Sequence, residues 1–252
     1  MLRQSLSAFF KFILVVFALV VLWQAVVSVF HLPRYILPAP LSVATRLWTG
    51  HAYLLSEALV TLREIIAGFA AGALFGAGSA FLLAGFPRFG RLVWPALIVL
   101  QSFPVFVIAP MLVLWFGFGI TSKIVMTMII VFFPVASNFA DGLSRTDGAI
   151  VKAAHLDGAG HWQLLVLIRL PLAMPQLFSG LRIAAPLAPL GAVVGEWVGA
   201  AGGLGFVMVQ ANARMQSDTV FAAMFILALE AVLFRKAVDL AAPFFTRWSP
   251  HQ

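Results

Sequence analysis

Few residues in this chain combine the type and the spacing that bond-making chemistry needs. The imidazoles are His31, His51, His155, His161 and His251, and all five fall in predicted loops or tails. Ser79, in Gly76-Ala77-Gly78-Ser79, therefore has no base at its own depth to activate it. A catalytic carboxylate pair would need two Asp residues inside apolar runs, yet Asp141, Asp147, Asp157, Asp218 and Asp239 lie at the ends of such runs or between them. The chain has no Gly-x-x-x-x-Gly-Lys-Ser/Thr phosphate loop and no cysteine for a thiolate metal site, so no cofactor is expected on it. An intramembrane enzyme is thus a poor reading. A secondary transporter is the other alternative, but it would show inverted repeats and buried ion-coupling carboxylates, and only Glu196 and Glu230 lie within or near the later apolar runs.

The spacing that does carry a signal is suited to docking. Lys152-Ala153-Ala154-His155-Leu156-Asp157-Gly158, followed nine residues later by Ile168-Arg169-Leu170-Pro171, is a polar island that keeps helical character between long apolar runs. Asp147 is placed to cap a short helix through Ala149, Val151, Ala153 and Ala154, and Asp157-Gly158 then turns the chain. A second amphipathic helix carries Trp162, Leu165 and Ile168, and Pro171 is expected to stop it. The result is a helix-turn-helix elbow on a membrane face.

The elements that hold this elbow must be membrane helices. A chain of 252 residues with 62% apolar and only 10% charged residues cannot bury that surface in one globule. Six spans are expected, at about Phe12 to Phe30, Ile65 to Phe86, Leu92 to Phe116, Ile124 to Ala140, Leu177 to Val198, and around Val220 to Leu233. The first run is longer than a signal-peptide core and Ser28-Val29-Phe30-His31 offers no small-x-small cleavage site, so it is expected to stay. Most of the basic residues, Arg3, Lys11, Arg88, Arg91, Arg145, Lys152, Arg169, Arg182, Arg235, Lys236 and Arg247, then fall on the elbow's side. The positive-inside rule makes that side cytoplasmic, with both termini on it, and it also removes the nucleic-acid reading of an excess of Lys and Arg.

Between the spans, residues 31 to 62 read as an external, proline-punctuated segment with an amphipathic stretch through Val43, Leu47 and Trp48. Gly117 to Lys123 reads as an external turn, and Ala200 to Asp218 as a Gly-rich external loop, partly re-entrant. Two glycine ladders, Gly68, Gly72, Gly76 and Gly191, Gly195, Gly199, permit close helix approach. The third span contains Pro95, Pro104 and Pro110 and should bend or break. Breaks at membrane depth are tolerated where protein or water satisfies the freed carbonyls, which makes Gln101, Ser102 and Pro104 candidate wall residues of a pathway. Asn138, Gly191, Gly195 and Glu196 join them as pathway or gating candidates, Glu196 lying near the outer end of its span, where exposure would cost little.

Ala-Ala, three residues, Gly, nine residues, then Ile-x-Leu-Pro resembles the EAA signature of binding-protein-dependent ABC transporter permeases, with Lys152 where the family has Glu. The likeness extends through Trp115-Phe116-Gly117-Phe118-Gly119, Leu181-Arg182-Ile183-Ala184 and Gly202-Gly203-Leu204-Gly205, and is strongest toward permeases for nitrate, sulfonates, taurine and pyrimidine precursors. The resemblance implies an all-α, polytopic protein of the type I importer kind, one transmembrane domain over residues 1–252, most family-like over 61–245, with its coupling elbow at 147–171. It implies that Lys152, Ala153, Ala154, Asp157, Gly158, Ile168, Leu170 and Pro171 seat against an ABC ATPase subunit, which uses ATP and Mg. A periplasmic or lipid-anchored substrate-binding protein, a second permease copy and the lipid of a bacterial inner membrane are the other implied partners.

Overall fold

The computed structural model describes residues 2–246, with side chains from Phe10 onward except Phe12 and Ile13. The side chain of Arg3, together with Arg247 and His251, lies outside that description. Every regular element among the described residues is helical.

The helix α1 (Leu2–Val29) holds the first expected span, and α2 (Pro40–Thr49) is the amphipathic stretch, with Val43 and Leu47 turned into the core and Trp48 turned out. Arg46 Nε on α2 donates to Thr219 Oγ1 at 2.8 Å, tying α2 to the last span.

The second span is longer than its hydropathy suggests. Helix α3 (His51–Gly85) is unbroken for 35 residues, about 52 Å at 1.5 Å per residue against a hydrocarbon core of roughly 30 Å. Its first turns carry Ser56, Glu57, Thr61 and Glu64, which lower hydropathy without opposing a helix. Residues 51–62 of the expected external segment are thus the first turns of this helix.

The third span is broken, as its prolines imply. Helices α4 (Pro87–Gln101) and α5 (Val105–Phe116) meet at an angle of 97°. Pro104 alone makes the break, because it precedes α5 with an extended backbone (φ −62°, ψ 111°), whereas Pro95 and Pro110 remain inside their helices.

Helix α6 (Ile120–Ser144) is the axis of the fold, packed along α3, α5 and the helices of the fifth span. Gly68, Gly72 and Gly76 of one ladder and Gly191 and Gly195 of the other admit it. A Cβ at Gly72 would lie 2.7 Å from Val131 Cβ, and one at Gly191 would lie 2.7 Å from Thr127 Cα. The absence of those Cβ atoms lets the backbones approach closely, and van der Waals packing across such a seam is what holds helices together when lipid is as apolar as the side chains.

After α6 come α7 (Gly148–Leu156) and the short α8 (His161–Gln163), which runs into a π-helical stretch, Leu164–Arg169, then α9 (Leu170–Ala184), a 3₁₀ turn at Ala185–Leu187, and α10 (Ala188–Gly199). Pro171 therefore does not end the second limb of the elbow. The wide π turn just before it absorbs the missing donor, and helix continues from His161 to Gly199 over 39 residues.

The stretch expected as a Gly-rich external loop is likewise mostly helix: α11 (Leu204–Ala213) follows directly on Gly203, whose φ of +101° turns the chain. Helix α12 (Ser217–Phe245) closes the bundle. Four of these helices are long and apolar enough to cross a membrane, five with the bent α4–α5 pair counted as one, in addition to the apolar Leu14–Val29 part of α1.

Candidate functional site

The elbow is built from its caps upward. Asp147 Oδ1 accepts from Ala149 N at 2.8 Å and starts α7. At its far end the Gly158 N–H donates to His155 O and the Ala159 N–H to Ala154 O, at 3.1 and 2.9 Å, which requires Gly158 at φ +82°. The Gly160 N–H then donates to Gln163 Oε1 at 2.9 Å and opens the second limb.

That second limb is anchored hard. His161 Nε2 donates to Gly85 O at 3.1 Å, and the Trp162 ring lies so close over Gly85 that a Cβ there would sit 2.5 Å from Cη2. Trp162 also meets Phe86 edge-on at 5.5 Å. Leu164 and Leu165 are buried, Leu165 in a cluster with Ala80, Phe139, Leu143 and Ala173, with Leu170 against it. Ile168 and Pro171 are half-buried beside them. The first limb is the opposite: Lys152, Ala153, His155, Asp157 and Gly158 are exposed, and Leu156 is 89% exposed. Of the alanine pair only Ala153 is open, because Ala154 is turned inward at 8%. Leu156 is a residue that sequence reasoning missed, since one Leu in an Ala-rich helix has no periodic signal.

The pathway candidates stand at three places. Gln101, Ser102 and Pro104 are exposed at the α4–α5 break, where Ser102 N donates to Val99 O at 3.0 Å. Asn138 lies at the α6–α9 crossing, where its Nδ2 donates to Pro134 O at 2.8 Å and its Cβ faces Gly180. Gly191 and Gly195 meet α6 at Thr127 and Lys123.

Glu196 is not an exposed interfacial carboxylate. It is 2% exposed, and its oxygens accept from Thr61 Oγ1 at 2.7 Å and from the Gly205 N–H. Thr61 Oγ1 in turn accepts from Leu204 N at 2.7 Å, and Glu57 Oε2 accepts from Gly203 N at 2.6 Å. Three successive orphan N–H groups at the start of α11 are thus satisfied by α3 and α10, two of them by carboxylates that suit the positive end of the helix dipole. Glu64 is also buried, at 2% exposed. Lys123 is not in an exposed turn either: it is 3% exposed and its Nζ donates to Phe118 O, Gly119 O and Gly199 O at 2.9, 2.9 and 3.1 Å. Glu57, Thr61, Glu64 and Lys123 were not singled out from the sequence, because their partners lie up to 146 residues away.

Comparison with known proteins agrees with this architecture. The family described as binding-protein-dependent transport system inner membrane component matches residues 65–248. A probable ABC transporter permease protein of Haemophilus influenzae is 44% identical over 91% of this chain and 94% of its own length. The formylaminopyrimidine transport permease protein ThiX of Halalkalibacterium halodurans is 34% identical over 93% and 94%, and the riboflavin transport system permease protein RibX of Chloroflexus aurantiacus is 33% identical over 91% and 87%. A polytopic helical chain that carries a glycine-turned polar elbow and matches these permeases along nearly its whole length belongs to the binding-protein-dependent inner membrane components, the permease subunits of ABC transporters.

Proposed function

We propose that this chain forms the substrate pathway of an ATP-driven importer for a small heterocyclic solute of the formylaminopyrimidine kind, received from an external binding protein and passed inward by alternating access. The names of two relatives at 34% and 33% identity favour a nitrogen heterocycle over nitrate, and over the sulfonates and taurine of relatives at 31% and 27%. Two copies would enclose the pathway, and ATP and Mg would be bound by separate ATPase subunits.

The observation that carries the coupling role is the contrast between the elbow's two limbs. A rigid second limb, locked onto Gly85 and Leu143, holds out a short helix whose exposed face bears Ala153 and the apolar Leu156. An apolar side chain held in water on a fixed mount gains by entering a partner's groove. Leu156→Glu should abolish co-purification with the ATPase and solute-stimulated ATP hydrolysis, while the permease still inserts. Retained co-purification in Leu156→Glu and also in Gly158→Val would remove the elbow from the docking surface.

A further inference from the structure

A cavity of about 480 Å³ opens at the elbow end of the bundle, between α3, α4, the end of α6 and the π-helical stretch. Its walls are apolar along Leu83, Ala84 and Trp94, and the Trp94 ring stacks on Phe133 at 6.4 Å. Two arginines, Arg91 from α4 and Arg169 from the π stretch, line it. Among the described residues neither has an ion-pair partner, and the Arg169 Nε is shielded from solvent with no hydrogen-bond partner. The acid at the rim, Asp141, forms an exposed pair with Arg145 at 3.5 Å.

We propose that this cavity binds an anionic phospholipid, whose phosphate Arg91 and Arg169 receive and whose acyl chain lies along Leu83 and Trp94. A shielded guanidinium Nε without a partner is costly, and a phosphate matches the donor fork of that group. The apolar wall beside the two cations is what separates a lipid from a free anion: a soluble phosphate would leave Leu83, Ala84 and Trp94 facing water. Basic pockets between membrane helices close to one leaflet are suited to such head groups. The inference needs only that the chain spans a bilayer and does not depend on the coupling reading. Because Arg169 sits in the π turn that joins the elbow to α9, lipid held there braces the mount of the docking helix.

The test uses the full-length chain, alone and in the assembly it purifies with, in nanodiscs of phosphatidylcholine with a graded fraction of phosphatidylglycerol, and reads retained lipid by native mass spectrometry. The wild-type chain should retain phosphatidylglycerol well beyond its bulk fraction, and Arg91→Gln should reduce that excess on the order of ten-fold, as should Arg169→Gln. Arg88→Gln, an exposed neighbour outside the cavity, should leave it unchanged. Equal retention by the Arg91 variant, an equal loss in the Arg88 variant, or lipid absent from the intact assembly would each overturn the proposal. Displacement of the lipid by millimolar inorganic phosphate would assign the site to a soluble anion instead.

Discussion

Thr61 shows how much of the outer end depends on single atoms. Its fully buried hydroxyl donates to Glu196 and accepts from the Leu204 N–H, so one side chain joins α3, α10 and α11. Thr61→Val keeps the shape and orphans both partners, at about 1–3 kcal/mol for each buried group left unmade. The expected outcome is a clearly lower detergent melting temperature, with Thr61→Ser close to wild type. Equal melting of the Val and Ser variants would mean that the hydroxyl contributes shape alone. Glu196 was legible in the sequence as an ionisable residue in an apolar run. Its role as a cap was not, because the N–H groups it and its neighbours satisfy belong to a loop-like Gly-Gly-Leu-Gly whose helical continuation only tertiary contact reveals.

Among the helices, legibility followed the strength of the local signal. Glycine at every fourth position marks a helix seam whatever the partner, and the partner proved to be α6 for every rung of both ladders but Gly199, which meets Val113 of α5 and Phe118. Proline gave a divided result. Pro104 broke the third span, while Pro171 and Pro186 were absorbed by π and 3₁₀ turns in a continuous helix, since a proline removes a donor and crowds the carbonyl four residues back, and neighbouring turns decide how both are accommodated. The α3–α6 seam offers a sharp comparison. A Cβ at Gly72 would meet Val131 and the Met128 carbonyl oxygen at 2.7 and 2.8 Å, whereas Gly78 on the same helix has nothing within 4 Å. Gly72→Leu should cost well over the roughly 1–3 kcal/mol of ordinary overpacking and remove folded protein from the membrane, and Gly78→Leu should express normally. Similar yields of the two would place the seam elsewhere. Gly195→Leu, pressed against Lys123 at 3.0 Å, is the intermediate case, and loss of solute-stimulated ATP hydrolysis in a normally assembled complex would show that this face also gates.

At the scale of the molecule, the charge distribution argues for one orientation. The cations on the side opposite the elbow are Arg34, Arg46, Arg63, Lys123 and Arg214, and two of these are engaged inside the protein: Lys123 by three carbonyls and Arg46 by Thr219. On the elbow side Arg88, Arg91 and Lys152 stay exposed, free to meet the positive-inside requirement. We expect the elbow and the α3–α4 turn to face the cytoplasm, with the start of α3 and the end of α11 outside. The native chain has no cysteine, so single cysteines report without background. An impermeant maleimide added to intact cells should label positions 50, 119 and 212, while positions 89 and 150 should label only after the membrane is opened. Labelling of 150 in intact cells would put the elbow on the wrong side for an ATPase, and with it the whole coupling scheme would fall.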